Sequence, residues 1–196
     1  MLVSASRAYE PKEGKVTATL GHHWFKTHYN GPHKEDLAPW QGGLGLIVTG
    51  DSSTKGSIEL AVFQLSKRFI RRFQDKYIGQ KSEMVQFNMG YRWWLSPYLS
   101  TSLTFFSSYT MGSPNTFYSD FNGSVAPNTS AEDITEYGFD FSIQGQAWES
   151  GRYSLVVEPR YSYSVTKKFK ESGDHYGVFV GLRYLIQAKE KIKGAP

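Results

Sequence analysis

Apolar and polar residues alternate along much of this chain, which is the period expected of β-strands with two unlike faces. In one such segment Leu155 and Val157 share a face, and Glu158 and Arg160 share the opposite one. The pattern is clearest in five segments, which are 84–95, 98–109, 136–148, 153–165 and 176–186. We predict a strand in each.

Three earlier segments, 16–26, 42–50 and 57–69, alternate less clearly. The third loses its pattern near Gln64 and Leu65, and a β-bulge is the expected explanation, because one extra residue reverses the phase of the alternation. With these three segments the count of predicted strands is eight.

The predicted connections alternate in length. Short connections fall at 50–56, 96–97 and 149–152, and long ones at 27–41, 70–83, 110–135 and 166–175. Short turns on one side and long loops on the other are typical of an up-and-down barrel that crosses a membrane. The fold class predicted is therefore all-β, a transmembrane antiparallel barrel of eight strands. We expect residues 1–196 to form one domain, with strands from about 15 to 187 and both chain ends on the short-turn side.

The charges indicate which face of the sheet meets lipid. A soluble eight-stranded barrel also alternates, but its polar face meets water and should carry many lysines. The five clear strands contain no Lys, and the rest of their polar face is mainly Ser, Thr, Gln, Asn and Gly. Aromatic residues make up 16% of the chain and gather near strand ends, as the girdles of membrane barrels do. We favour the membrane barrel over the soluble one.

Composition excludes several kinds of protein and of chemistry. The chain has no Cys, so disulfides and thiolate chemistry are excluded. It also has no run of about 18 apolar residues that would form a transmembrane helix. The net charge of +4 is not gathered on one face, so we expect no nucleic-acid partner. No signal peptide is visible in residues 1–7, which leaves a processed form and a cytosolic chain both open.

The last strand carries the most specific motif, Gly181-Leu182-Arg183-Tyr184-Leu185-Ile186. It resembles the C-terminal assembly signal of the small eight-stranded outer membrane β-barrel proteins of Gram-negative bacteria. The resemblance implies a monomeric, multi-pass outer membrane protein with both termini periplasmic. It also implies insertion by the barrel assembly machinery and contact with lipopolysaccharide and phospholipid. The chain departs from the family in its tail, 187–196, and in Pro159, where we expect a local bulge.

Six charged residues lie on the polar face of the clear strands, which an eight-stranded barrel turns toward its lumen. Asp140 and Arg160 should face each other directly or diagonally across neighbouring strands. Either the charges line an ion-conducting lumen or they form a salt-bridged plug, and we favour the plug. The six are Arg92, Glu136, Asp140, Glu158, Arg160 and Arg183.

The loops offer weaker candidates for chemistry. His28 and His33 share the first long loop with Glu35 and Asp36, but their spacing matches no defined metal site. His22 and His23 point to opposite faces of a strand. We therefore predict no metal and no cofactor.

Outer membrane enzymes of this fold provide a catalytic alternative. The His-x-Ser signature of the outer membrane deacylases is missing from this chain. The palmitoyl transferases place His, Asp and Ser in outer loops, and His28 or His33 with Asp75 and Ser82 resembles that trio only weakly. We expect no enzymatic activity.

In the longest loop, Phe117, Tyr118 and Phe121 could either contact a partner or glycolipid, or pack onto the barrel rim. Three functions stay open. The leading hypothesis is a non-enzymatic surface barrel with a side-chain-filled polar lumen. The alternatives are a narrow conduit for small apolar solutes and a lipid-modifying enzyme.

Overall fold

A computed structural model describes residues 9–28, 39–121, 127–133, 135–166 and 173–186. The described residues form nine β-strands and one short 3-10 turn at Ser130–Glu132. The strands are β1 Val16–Thr27, β2 Gln41–Asp51, β3 Gly56–Phe73, β4 Lys76–Ser96, β5 Leu99–Thr110, β6 Asn115–Ser119, β7 Thr135–Ser150, β8 Tyr153–Ser164 and β9 His175–Ile186. Among these residues, no helix is long and apolar enough to cross a membrane.

Eight of the strands close into a barrel. The order of neighbours is β3, β2, β1, β9, β8, β7, β5 and β4, and pairing between β3 and β4 completes the ring. Every pairing is antiparallel, and successive barrel strands along the chain are neighbours in space. The predicted fold class, an eight-stranded up-and-down barrel, is confirmed.

Side chains alternate between the lumen and the outer wall along each barrel strand. In β8, residues with even numbers are buried and those with odd numbers are exposed from end to end. Val157 is 36% exposed, whereas its neighbour Glu158 is fully buried. The outer face of β8 is therefore apolar, and its charged residues Glu158 and Arg160 lie inside.

Three short turns lie at one end of the barrel and join β2 to β3, β4 to β5, and β7 to β8. Gly151 has a φ of +61° in the last of these turns, a conformation that residues with a Cβ rarely adopt. The described start of the chain lies at this end, because Gly14 donates a backbone hydrogen bond to Asp51 at 2.9 Å. Ile186 also lies there, since it pairs with Val16.

The connection predicted at 70–83 is wrong, because these residues extend the barrel wall as a β-hairpin. The pairing of β3 with β4 runs without interruption from Gly56 and Trp93 to Phe73 and Lys76. This extended β3–β4 hairpin satisfies its own backbone hydrogen bonds. Alternation does not distinguish it from a loop, because Arg, Lys and Gln interrupt both of its faces.

Part of the predicted loop 110–135 is also ordered by pairing. Strand β6 adds to the extended part of β4, with Ser119 opposite Ile78 and Asn115 opposite Lys81. The 3-10 turn follows, with Thr129 as its N-cap. Residues 122–126 and 134 of this loop lie outside the described residues.

Both predicted bulges are wrong. The register of β3 against β4 is continuous through Gln64 and Leu65. Pro159 keeps its register with β9, and the pairs that flank it toward β7 also share one register. Within the barrel ring, the register shifts are near Trp94 and between Gln146 and Trp148, both close to the short-turn end.

Candidate functional site

Five charged side chains meet in the lumen and form what we call the central ion cluster. Arg92 donates from Nε to Glu59 at 2.7 Å and from Nη2 to Glu158 at 2.8 Å. Arg160 donates from Nη1 to Glu158 at 2.7 Å and from Nη2 to Asp140 at 2.5 Å. All five side chains are at least 99% buried. Each arginine therefore bridges at least two carboxylates, and the charges are paired where water is excluded.

Neutral polar groups add hydrogen bonds to the central ion cluster. Gln144 donates to Glu158 at 2.6 Å, and Ser100 accepts from Arg92 at 2.9 Å. Asp140 also accepts from Ser162. Because Asp140 pairs with Ser162 in the ladder and Ser142 with Arg160, the contact between Asp140 and Arg160 is diagonal. Hydrogen-bonded networks of this kind hold neighbouring strands in one register.

The six charged residues predicted for the lumen all face inward, but they do not form one group. Glu136 lies nearer the loop end, where it accepts from Lys67 at 2.7 Å and 2.9 Å. Arg183 lies at the short-turn end and donates to Gln144 at 3.3 Å. The other four, with Glu59, make up the central ion cluster.

Glu59 and Lys67 were missed because they belong to β3, which alternates weakly. Their positions could have been found from the parity of the strand. Both are odd-numbered in a segment whose outward residues, Ile58, Leu60 and Val62, are even-numbered. The six residues predicted for the lumen, three basic and three acidic, were therefore an incomplete set.

A second polar group closes the short-turn end, around Tyr9. The Tyr9 hydroxyl donates to Asp51 Oδ2 at 2.7 Å, and Ser57 donates to Asp51 Oδ1 at 2.6 Å. The Tyr9 ring stacks on Trp94 at 4.7 Å and lies 4.5 Å from the Arg183 guanidinium. Burial and the hydrogen bond to Asp51 raise the pKa of Tyr9 above its ordinary value. The segment before β1 thus seals this end of the lumen.

The lumen is not uniformly polar, which corrects the predicted polar interior. Toward the loop end it is filled by an apolar layer in which His23 and His175 lie among aromatic rings. The His23 imidazole has no hydrogen-bond partner among the described residues. The main apolar members of the layer are Phe25, Ile47, Phe63, Leu65, Phe106 and Phe179.

These inward apolar residues also explain why the first three strands alternate weakly. Phe25, Ile47, Phe63 and Leu65 face the lumen from β1, β2 and β3, while apolar residues cover the outer face of the same strands. Where both faces are apolar, a period of two disappears from the sequence although the strand is regular. The apparent change of phase at Gln64 and Leu65 has this origin, because Gln64 faces outward and Leu65 inward.

The aromatic residues of the longest loop pack on the β3–β4 hairpin. The Phe117 ring lies 4.6 Å from the Arg68 guanidinium, and the Phe121 ring lies 5.6 Å from Lys76 Nζ. The Tyr118 hydroxyl donates to an oxygen of Asp120 at 2.5 Å. All three rings keep intermediate exposure. The contacts correspond to rim packing and leave part of each ring accessible.

The weak catalytic trio is not assembled. Asp75 lies at the tip of the β3–β4 hairpin and pairs with Arg72, whereas Ser82 is buried beside Lys67 in the ladder. Seven residues along a strand separate Asp75 from Ser82, about 23 Å. His28 is exposed just beyond β1, and His33 lies outside the described residues.

The histidine-rich segment contains no metal site within the part of the chain that the structure describes. His22 and His23 face opposite sides of the wall. Glu35 and Asp36 fall outside the described ranges. No group of three or more His, Asp or Glu side chains within those ranges could hold a metal ion.

The outer wall has one further feature, an apolar depression of about 480 Å³ between β2 and β5. Most of its lining consists of apolar side chains from four neighbouring strands. The principal lining residues are Leu46, Leu60, Val62, Phe87, Met89 and Phe105.

Comparison with known proteins supports the fold and adds no sequence relative. No family model and no curated protein matches the sequence. The structure is similar to that of the outer membrane protein OprG from Pseudomonas aeruginosa, with a TM-score of 0.59 and 11% identity over 93% of this chain and 100% of that one.

A second similar structure is Ail, the attachment invasion locus protein of Yersinia pestis, solved in complex with the heparin analogue sucrose octasulfate. The TM-score is 0.51 and the identity 11%, over 88% of this chain and 99% of Ail. At this identity the likeness concerns the fold. This chain has the fold of the small eight-stranded outer membrane barrels.

Proposed function

We propose that this chain is a monomeric, integral outer membrane protein of a Gram-negative bacterium that acts without catalysis, in a structural or surface-interaction role. One observation carries the proposal: below the β3–β4 hairpin, large apolar side chains cover the outside of the barrel, while charged residues such as Glu59, Arg92 and Glu158 are buried inside. A water-soluble barrel requires the opposite arrangement. Lipid is the solvent that such an outer wall fits.

Exposure of the wall supports this proposal quantitatively. Leu20, Met89 and Leu95 are 63%, 63% and 64% exposed. Apolar surface transferred from water to lipid gains roughly 25 cal/mol per Å², so an apolar wall of this extent favours a bilayer strongly. Aromatic residues stand at both margins of the wall, with Trp93 and Tyr153 near the short turns and Trp24 and Tyr109 near the loops. They correspond to the girdles of membrane barrels.

The positions of the short turns and long loops support one orientation of the barrel in the membrane. Membrane barrels place short turns on the periplasmic side and long loops outside. We infer that both termini are periplasmic, that the β3–β4 hairpin projects outward, and that the wall contacts phospholipid and lipopolysaccharide. Insertion by the barrel assembly machinery belongs to the same proposal, on the strength of the motif in β9.

The role proposed for the central ion cluster is to plug the lumen. Arg92, Glu59 and Glu158 are fully buried, and Phe63 and Phe179 fill the next layer. The protein should therefore give no steady conductance in a planar bilayer. A reproducible single-channel conductance of the unmodified protein would contradict a closed lumen.

The membrane proposal is tested by the behaviour of the purified chain. It should fold only in detergent or lipid, and it should migrate differently before and after boiling, because a closed barrel resists unfolding by detergent. Monodisperse, folded protein in buffer without detergent would contradict the proposal.

A second candidate function is the passage of small apolar solutes along the wall, and the apolar depression favours it. Leu60→Phe and Val62→Phe together would fill the depression without adding charge. If the depression conducts solutes, this variant should slow uptake of an apolar dye into protein-containing vesicles. Equal uptake by the unmodified protein and the variant would remove this candidate.

A further inference from the structure

The apolar layer of the lumen contains two titratable side chains, His23 of β1 and His175 of β9. They are 2% and 1% exposed, and their ring centroids lie 6.3 Å apart. Phe25 and Phe63 pack against the first imidazole, and Phe25 and Phe106 against the second. Imidazole is the side chain whose charge ordinarily changes between neutral and mildly acidic pH. The layer thus joins three aromatic rings to two groups that acid can charge.

His23 has no hydrogen-bond partner on either ring nitrogen among the described residues. Buried polar groups in folded proteins are nearly always hydrogen-bonded, so an unpartnered one needs an explanation. Phenylalanine would fill a similar space without leaving polar atoms unpaired. The closed layer therefore does not itself require an imidazole at this position.

The charged groups that face the two imidazoles from other strands are already paired with one another. They are Lys67 of β3, Glu136 of β7, and Arg160 and Glu158 of β8. Lys67 donates to Glu136 at 2.7 Å, and Arg160 donates to Glu158 at 2.7 Å. At this level β2, β4 and β5 turn only uncharged residues inward. A proton on either imidazole therefore adds positive charge beside two cations whose carboxylates are engaged.

Titratable neighbours on the same two strands do not offset that charge. His22 and Lys26 lie on the outward face of β1. Asp174, next to His175, accepts hydrogen bonds from the Ser164 backbone at 2.9 Å and from the Tyr161 hydroxyl at 3.2 Å. Two imidazolium ions in the layer would also repel each other, and the weak attraction of a cation to a ring face does not replace lost hydration.

Two hydrogen-bond acceptors without partners among the described residues lie at the loop end of the lumen. Gln41 faces the lumen diagonally from His23, one inward position nearer the loops, and Thr27 is directly opposite His175. A protonated imidazole donates from both ring nitrogens, and the side-chain oxygens of Gln41 and Thr27 can accept. Protonation therefore favours movement of the imidazoles toward the loop end, whereas neutral imidazoles stay packed among the rings.

We propose that His23 and His175 make the loop end of the lumen sensitive to acid. When neutral, they pack in the apolar layer and keep it closed. When protonated, they turn toward Gln41 and Thr27 and loosen the layer, while the central ion cluster beneath stays paired. The proposal rests on the orientation proposed above, which turns this end of the barrel toward the surroundings of the cell.

The first test follows stability from about pH 8 to about pH 5 by urea unfolding in vesicles. An imidazole that the folded barrel keeps neutral gains a proton in the unfolded chain below its ordinary pKa of about 6.5, so stability is lost as the pH falls below that value. The equilibrium constant for folding should drop by up to about 30-fold for each imidazole by pH 5. His23→Phe with His175→Phe keeps rings in the layer without the charge and should make the drop at least about tenfold smaller.

The second test measures access of water to the layer. Leu65→Cys places a thiol in the apolar layer, and its reaction with a dipyridyl disulfide is followed in the folded barrel. At about pH 5.5 the thiol should react at least about tenfold faster when both histidines are present than in the background of the double Phe variant. At about pH 8 the two rates should agree within about twofold, because both imidazoles are neutral there.

His22→Phe is the matched control, because His22 is the preceding residue of the same strand and faces the outer wall. This variant should keep both the pH dependence of stability and the acid-induced reaction of the thiol. If the double variant does not fold, His23→Phe and His175→Phe are compared singly, and each should remove part of the drop in stability.

Equal pH dependence of the unmodified protein and the histidine variants would overturn the inference. A thiol at position 65 that reacts equally fast in both backgrounds at about pH 5.5 would overturn it as well. Neither result would touch the membrane proposal. That proposal fails instead if the unmodified chain does not fold in vesicles at any pH.

Discussion

Arg92 shows how a charged residue can stabilise a lipid-embedded barrel. It is fully buried and holds Glu59 from β3 and Glu158 from β8, strands that are not neighbours in the ring. The guanidinium therefore connects opposite parts of the wall across the lumen. Arg92 can stabilise the barrel in this way only while the carboxylates of Glu59 and Glu158 both stay paired with it.

Arg92→Met should destabilise the barrel by about 3–5 kcal/mol, because it leaves two buried carboxylates with less compensation. Urea unfolding in vesicles, followed by tryptophan fluorescence, measures the change. Lys55→Gln, an exposed substitution at a short turn, is the control and should change stability little. A loss below about 1 kcal/mol for Arg92→Met would show that the cluster does not hold the strands together.

Tyr9 should make stability depend on alkaline pH. Because the pKa of Tyr9 is raised in the folded barrel, the unfolded chain loses its proton first, near pH 10. The contribution is complete below that pH and is lost as the pH rises further. The unmodified protein should therefore lose stability more steeply above about pH 10 than Tyr9→Phe does. Parallel curves for the two proteins would contradict the buried, hydrogen-bonded state of this hydroxyl.

At the residue scale, the sequence revealed charges only where their strands alternate clearly. Asp140, Glu158 and Arg160 were found because small polar residues surround them on the same face. Glu59 and Lys67 were missed because apolar neighbours on that face hid its inward orientation. Which residues pair in an ion cluster depends on how the sheet closes into a barrel. The pattern of residues within one strand does not reveal this.

At the scale of one strand, β8 separates the two environments most sharply. Val157→Arg places a charge in the middle of the outer wall and should cost roughly 2–4 kcal/mol, measured by unfolding in vesicles. Val165→Arg, the same substitution just beyond the loop end of β8, should cost about 0–1 kcal/mol. Equal costs at the two positions would mean that the wall does not cross hydrocarbon.

The turn of the β3–β4 hairpin holds two residues in a backbone conformation that is unfavourable for residues with a Cβ. Gln74 and Asp75 have φ values of +48° and +62°, which suit a two-residue turn of type I′. Gln74→Asn with Asp75→Gly should stabilise the hairpin by about 1 kcal/mol or more, since residues with a Cβ are strained there. Slower amide hydrogen exchange in 70–80 is the expected result. Gln74→Ala retains the strain and should give no gain.

Elements were predicted where the two faces of a strand differ in polarity. Five strands met that condition, and their faces were assigned correctly except at Trp148, which the register shift after Gln146 turns outward. The bulge expected near Gln64 was wrong. The lumen becomes apolar at Leu65, so the apolar residue there faces inward and the polar Gln64 faces outward, although the register does not change. The extended hairpin was taken for a loop because Arg, Lys and Gln interrupt both of its faces, so no apolar period marks its strands.

At the scale of the whole molecule, the described part of the lumen changes in character along the barrel axis. Tyr9, Asp51 and Arg183 close the short-turn end, the central ion cluster follows, and the apolar layer around Phe63 lies toward the loops. The fold could be predicted because lipid imposes one rule on the entire wall. The role of the loop end could not, because contacts between loops follow no such period.

The most direct test of the account is which face of β8 meets lipid. The chain has no Cys, so single cysteines can be introduced and spin-labelled without background. In vesicles, labels at Leu155, Val157 and Tyr161 should collide readily with oxygen, which concentrates in hydrocarbon, whereas labels at Val156 and Ser162 should be shielded. If the even-numbered positions were the ones open to oxygen, the barrel would be assigned inside out, and the membrane account would fall with it.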